Sequence, residues 1–317
     1  ADRDLYKTFM LEALEAYPNL TILEDSVEDL ELNPSMTAVT GVRTGSGESV
    51  SAKAVVITTG TFLRGMIHLG LDKYPAGRHK RDSESVEAPS VGLAETLERL
   101  EFPLGRLLTG TPPRLDSRTI DYTGLEVQPS DDPPVPFSYM NWGKRVRQAD
   151  KLVDCHMTFT QAETHQMVKD SMHLLPQFTG NEGKGQGPRN CPSIENKVRR
   201  FEDKPHHQVW LEPEGLNTHT VYPNGLNTAF PVDLQEKIVQ SIPGLENVTM
   251  IRPGYAVEYD FVPNNLNLET DDMVHFQWTG SDYNPRRGCN NGEGGPPDPN
   301  TAAAANQNSR ADRSNIV

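Results

Sequence analysis

Ala54-Val55-Val56-Ile57-Thr58-Thr59-Gly60-Thr61-Phe62-Leu63-Arg64-Gly65 is the stretch on which the fold class turns. Ala54 to Thr59 runs apolar and β-branched without polar alternation, the pattern of a strand covered on both faces. Gly60 then allows a turn in which backbone approaches a ligand where a side chain would block it. Upstream, Ala38 to Arg43, the turn Thr44-Gly45-Ser46-Gly47 and Ser49 to Ala52 read as a hairpin. A hairpin, a two-sided buried strand and a glycine turn in succession predict an α/β fold. The plainer alternative is a core strand with an ordinary turn.

Outward from this stretch, Asp4 to Tyr17 reads as an amphipathic helix, with Leu5, Phe9 and Ala13 on one face beside Tyr6, Met10, Leu14 and Tyr17. Asn19 to Leu23 reads as a short strand, and Pro89 to Leu100 as a second helix carrying Leu97 and Leu100. Pro112-Pro113 forces extended chain. Residues 116–186 change character, acidic and proline-rich at Asp131-Asp132-Pro133-Pro134 and glycine-rich from Gly180. Arg252 to Val262 returns to strand alternation. Beyond Thr270 apolar periodicity fades, and Gly294-Gly295-Pro296-Pro297 with the alanines 302–305 has the composition of a disordered tail. The expected divisions are therefore 1–115, an inserted domain at 116–186, a return segment at 187–270 and a tail at 271–317.

Composition narrows the function. Among 317 residues, 35% are hydrophobic and glycine and proline number 25 each, which implies a loop-rich path. A formal net charge of −14 argues against a general nucleic-acid binder, since phosphate contacts need clustered Lys and Arg. Arg189, Lys197, Arg199, Arg200 and Lys204 form one local basic cluster, or else a solvated helix face. Cys155, Cys191 and Cys289 are too widely spaced for a disulfide framework and favour a reducing compartment. No apolar run reaches membrane-spanning length. His206-His207 and Cys155-His156 supply no four-ligand spacing, so no metal site is expected and solvated or capping histidines are the better reading.

The chemistry concentrates in Gly187-Pro188-Arg189-Asn190-Cys191-Pro192-Ser193-Ile194-Glu195-Asn196-Lys197-Val198-Arg199-Arg200-Phe201. Ile194, Val198 and Phe201 recur at helical spacing, Pro192 suits a first helical position, and Cys191 falls near the N-cap. A thiol there, with Arg189 two residues before it, ionises more readily and becomes a nucleophile. Free amides at a helix start also suit a pyrophosphate. The competing reading makes Cys191 a small buried hydrophobe.

This block resembles the G-P-R-Y-C-P-S-I-E-D-K signature of the GidA/MnmG family, flavin-dependent enzymes that modify the wobble uridine of tRNA. Ala54 to Gly65 resembles the family's strand and G-T-F-L-x-G turn, and Gly105 to Arg114 its G-R-L-K-T-G-T-P-P-R. Leu211 to Gly215, Tyr222 to Gly225 and Arg252 to Asp260 follow in the family's order. The sequence departs from the pattern at Leu108 (usually Lys), Phe159 (His), Asn190 (Tyr) and Asn196 (Asp). The resemblance implies a partial FAD-binding Rossmann-like domain with an inserted α+β domain. It makes Val27 and Ser90 flavin contacts, Gly187 to Phe201 the NAD-associated segment, and Cys191 the thiol that adds to the uridine ring. For Val27 and Ser90 the alternatives are a core strand residue and a helix N-cap.

The same resemblance implies FAD, NADH and a methylene-tetrahydrofolate carbon donor, tRNA as substrate, an MnmE-type GTPase partner and a homodimeric core. The wording of His207 to Gly215 is closer to a mitochondrial branch than to enzymes of the bacterial cytoplasm. The family's G-x-G-x-x-G turn, second reactive cysteine and A-G-Q-I-N-G flavin loop are not found in these residues, so the chain reads as a fragment of the enzyme. A non-catalytic, partner-binding remnant is the alternative. A flavin- and folate-dependent tRNA uridine methyltransferase is a further one, against which the Gly187 to Lys197 block argues.

Overall fold

A computed structural model describes residues 2–80, 85–136, 141–144, 151–175 and 193–262, all within the first of two units, residues 1–263, into which the chain divides. Helix α1 (Arg3–Glu15) leads into β1 (Val27–Leu32), β2 (Val39–Thr44) and β3 (Ser49–Ser51). Next come β4 (Met66–Leu69), β5 (Asp72–Pro75), β6 (Arg78–His79), β7 (Val86–Glu87) and α2 (Gly92–Arg99). Strands β8 (Gly105–Thr111), β9 (Arg114–Asp116), β10 (Glu126–Gln128) and β11 (Cys155–Phe159) precede α3 (Ala162–Ser171) and α4 (Ile194–Arg200). The described chain closes with β12 (Gln208–Pro213), β13 (Thr220–Asn224), α5 (Val232–Gln240), β14 (Met250–Arg252) and β15 (Tyr255–Phe261).

The predicted hairpin is present as β2 and β3, with β1 added to make a three-stranded antiparallel sheet. A six-stranded sheet runs β10-β11-β12-β13-β9-β14, and a four-stranded one β5-β4-β15-β8. Every ladder among the described residues is antiparallel; the one parallel pairing is a single bridge between Leu63 and Ser90. The six-stranded sheet takes β10 and β11 from one side of the expected division at residues 186 and 187, and β12 and β13 from the other.

One large core lies between this sheet and α3, α4 and α5, around Leu115, Val168, Ile194, Val198, Val209, Leu211, Phe230 and Ile238. Removing such side chains from water supplies most of the driving force for folding, about 25 cal/mol per Å² of apolar surface. The buried amide of Gln235 locks α5 to the turn before β15. It donates to the carbonyls of Phe230 (2.6 Å) and Gly254 (2.9 Å) and accepts from the Gly254 amide at 2.7 Å. In the four-stranded sheet, Arg106 on β8 bridges Glu258 (3.2 Å) and Asp260 (2.7 Å) on β15, and His68 on β4 reaches Glu258 at 3.2 Å. These cross-strand pairs reinforce the register beside a small apolar cluster of Ile67, Ala76 and Val257.

Two expected strands are not formed. Residues 54–59 carry no ladder, and Val56 is 86% and Ile57 40% exposed. Residues 19–23 are likewise irregular, with Leu20, Ile22 and Leu23 exposed. An apolar run specifies burial but not a partner, and no described strand lies alongside either one to satisfy its backbone groups. Helix α1 is helical as expected, yet none of its residues is buried. It is anchored by its start: Asp2 accepts from the amides of Leu5 (2.8 Å) and Leu216 (2.6 Å), and Arg3 pairs with Glu214 at 3.0 Å. The expected tail at 271–317 lies outside the described residues.

Candidate functional site

Two places gather the residues that the sequence singles out. The first lies where α2 meets β1. Gly92, at the start of α2, sits so close that an added Cβ would stand 2.3 Å from the Glu28 carbonyl oxygen, so only glycine admits this approach. It brings Ser90 to Val27: the Ser90 hydroxyl donates to the Val27 carbonyl at 3.5 Å. The Ser90 amide donates to Phe62 O (2.8 Å) and its carbonyl accepts from Arg64 N (2.9 Å), which ties both residues to the Thr61–Gly65 turn. Val27 is 37% exposed and so is not a core residue. Ser90 is not the helix cap either, because Val91 occupies that position without a side-chain bond.

The second place is α4 and the cleft beside it. The helix begins at Ile194 with Ser193 as N-cap, its hydroxyl accepting from the Asn196 amide at 3.3 Å. The expected cap was Cys191 with Pro192 opening the helix. Serine wins because its hydroxyl accepts a hydrogen bond better than a thiol does. Gly187, Pro188, Arg189, Asn190, Cys191 and Pro192 themselves lie outside the described residues. Ile194 and Val198 enter the core, Phe201 is 49% exposed, and Arg199 and Arg200 face outward. Arg199 reaches the Asn196 side chain at 3.3 Å.

Glu195 is fully buried. One carboxylate oxygen accepts from the Thr228 hydroxyl at 2.5 Å, and the other meets no hydrogen-bond partner among the described residues. Burial pushes this carboxyl above the ordinary glutamate range, against the opposing hydrogen bonds from Ser193 and Thr228. Lys197 turns the other way and donates to the Gly225 carbonyl at 2.9 Å. Gly225 has φ +107, and a Cβ there would stand 2.7 Å from Gln208 O, so the loop keeps this shape only with glycine.

Beyond Lys197 a cavity of about 710 Å³ opens, lined by Phe159, Phe201, Lys204, His207 and Trp210. His206 is exposed, as expected, but His207 is only 8% exposed, which corrects the solvated reading. Its amide donates to Thr160 Oγ1 at 2.8 Å, and that hydroxyl is also 2.8 Å from His165 Nε2. The two imidazoles stand 5.1 Å apart. His207 Nε2 is buried with no hydrogen-bond partner among the described residues. Burial, reinforced by His165, Lys197, Lys204 and His206, pushes its pKa down to about 4, so the ring is neutral at physiological pH. The overlooked signal was the alternation His207, Val209, Leu211 into β12, which puts all three on the buried face.

Cys155 on β11 pairs with Gln128 on β10 and is half-buried, its thiol pushed up by burial, so it is a poor nucleophile. Among the described residues no cluster of His, Cys, Asp and Glu has the makings of a metal site, and no helix is long and apolar enough to cross a membrane.

Comparison with known proteins matches residues 1–277 to the family model described as glucose inhibited division protein A, and residues 247–317 to a DD3-3 cupredoxin-like domain. The tRNA uridine 5-carboxymethylaminomethyl modification enzyme MnmG of Granulibacter bethesdensis is 49% identical over 277 residues, covering 86% of this chain and 42% of that protein. The enzyme of the same name from Thermodesulfovibrio yellowstonii is 46% identical over 262 residues, covering 83% and 40%. Two structures of Aquifex aeolicus GidA are similar. Crystal form I has a TM-score of 0.72 and 44% identity, covering 83% of this chain and 43% of that one. Form II has a TM-score of 0.70 and 43% identity, covering 83% and 40%. The chain thus spans about two-fifths of the length of the relatives it matches.

Proposed function

Because this chain belongs to the glucose inhibited division protein A family, with its α/β, FAD-binding Rossmann-like fold and inserted domain, we propose that it forms part of a flavin-dependent enzyme acting on the wobble uridine of tRNA. The product is a carboxymethylaminomethyl-type group at C5. The observation that carries this reading is the sequence identity to MnmG across a stretch that includes the Gly187–Phe201 block.

The flavin nucleotide of this reading would lie at one place. Val27 and Ser90 come together beside the Thr61–Gly65 turn, and Val27 keeps an accessible surface against which a ligand can lie. Bound FAD would supply the redox chemistry that side chains lack, NADH would re-reduce it, and methylene-tetrahydrofolate would supply the carbon. Cys191 is the nucleophile: its thiolate adds to C6 of uridine, and the electron pair of the C5–C6 double bond makes C5 nucleophilic toward the one-carbon unit. Loss of the C5 proton then expels the thiolate, and an amine co-substrate displaces the folate nitrogen from the new carbon to complete the side group. Lys197, Arg199, Arg200 and Lys204 give an otherwise acidic chain a basic strip for the RNA backbone. An MnmE-type GTPase and a second copy of the enzyme are the partners of this reading, and the wording of His207 to Gly215 supports a mitochondrial home.

The test is mass spectrometry of tRNA nucleosides from cells in which the gene is deleted. C5-modified wobble uridine should be lost, restored by the native gene and by Cys155→Ser, and not restored by Cys191→Ser. Unchanged modification in the deletion strain overturns the proposal. It would favour the second reading, a partner-binding remnant.

A further inference from the structure

Arg64 holds a backbone conformation that an arginine rarely takes. Its φ is 48°, in the left-handed region where a β-carbon crowds the chain. Three other non-glycine residues among those described share a positive φ, Asn19, Met36 and Glu101, and all three are exposed. Arg64 is half-buried instead, within the Thr61–Gly65 turn. Such strain persists only where the surroundings over-determine it. The position is the variable one of the G-T-F-L-x-G pattern, so the family signature assigns it no role.

The restraint comes from three elements. The Arg64 amide donates to the Ser90 carbonyl at 2.9 Å, just ahead of α2. The Arg64 carbonyl accepts from Arg106 Nη1 on β8 at 3.2 Å, and the Leu63 carbonyl accepts from the Asp260 amide on β15 at 2.8 Å. The Arg64 guanidinium then spans the gap, with Nη2 on Glu98 of α2 at 2.8 Å and Nη1 on Asp260 at 3.4 Å. Arg106 holds the other oxygen of Asp260 at 2.7 Å, so Arg64 meets a carboxylate that is already oriented. A side chain paired with a helix at one end and a strand at the other sets the spacing between them. This helix is the one whose start carries Ser90 against Val27.

We propose that Arg64 is a positioning residue for the flavin: by tying α2 to β15 it holds the Thr61–Gly65 turn, and with it Ser90 and Val27, in the shape that receives the nucleotide. The proposal rests on the flavin reading of that turn. The guanidinium need not touch the ligand, since both of its ends are engaged by carboxylates.

The test titrates FAD into the full 317-residue chain, followed by flavin fluorescence, with urea unfolding of every variant beside it. FAD is supplied from solution because a site held along one side only releases it during purification. Arg64→Ala should weaken binding about fivefold or more. Arg64→Lys, a point charge that reaches one carboxylate rather than two, should recover part of the loss. Arg64→Gly separates positioning from stability. Glycine takes the same φ without strain, so unfolding should stay near native while FAD binding falls as in Arg64→Ala. Glu98→Ala, at a side chain 66% exposed, should likewise weaken FAD without unfolding the chain. Combined with Arg64→Ala it should add little, because the two residues act as one contact. If Arg64→Gly and Glu98→Ala bind FAD like the native chain, or if binding merely follows stability across the series, the proposal is overturned and the flavin reading stands. If the native chain shows no saturable binding up to about 1 mM FAD, the flavin reading of the turn falls and takes this proposal with it.

Discussion

The Ser90 hydroxyl donates to the Val27 carbonyl at 3.5 Å, joining two residues 63 apart in the sequence. The contact exists because Gly92 lets α2 close on β1, and it places both residues against the Thr61–Gly65 turn. A flavin laid there would be held along one side only. In Rossmann-type folds the pyrophosphate rests on a G-x-G-x-x-G turn, and the 317 residues contain no such sequence.

The chain by itself should therefore retain little FAD. Flavin absorbance of the purified 317-residue protein measures this directly, and a yellow protein with stoichiometric flavin overturns it.

Arg106→Ala should destabilise the four-stranded sheet strongly. Arg106 pairs with both Glu258 and Asp260, which are 8% and 4% exposed, so its removal leaves two carboxylates buried without that partner. Breaking a buried pair from one side costs about 3–5 kcal/mol, less here because Arg64 also approaches Asp260 at 3.4 Å. Urea unfolding checks the value, and a loss below about 1 kcal/mol contradicts the stated role.

Glu195→Gln should flatten part of the stability–pH curve. The folded carboxyl titrates above its unfolded value of about 4.3, so the folded state holds a proton that the unfolded state releases. Stability from this group is full below the unfolded pKa and is lost as pH rises through the raised folded one. The variant, which does not ionise, should gain on the native chain as pH rises from 5 to 8. A constant difference across that range contradicts a buried acid at this position.

His207 works in the opposite direction. Its folded pKa is down to about 4, against about 6.5 when unfolded, so stability is present above the unfolded value and lost as pH falls toward 4. His207→Gln should remove this acid sensitivity, measured as the difference in unfolding midpoint between pH 7 and pH 4.5.

Val56→Thr and Ile57→Thr should change stability by less than about 0.5 kcal/mol, as exposed substitutions do. Their side chains are 86% and 40% exposed. A loss of about 2 kcal/mol or more would mean that residues 54–59 are packed after all.

The sequence by itself determined what rests on neighbouring residues. The alternation and turn at 38–52 produced β2 and β3, and the spacing of Ile194 and Val198 produced α4. Even the two-residue displacement of the helix start is local, a serine hydroxyl outcompeting a thiol for the cap. Only the tertiary structure decided the rest. Residues 54–59 have the composition of a buried strand but no ladder, because a strand exists only where another backbone completes its hydrogen bonds. The cleft draws Phe159, Phe201, His207 and Trp210 from β11, the end of α4 and the start of β12. His207 is held in its buried position by Thr160, 47 residues earlier, whose hydroxyl accepts from the His207 backbone amide. Such sites depend on which distant segments share a sheet, and one-dimensional spacing carries no record of that.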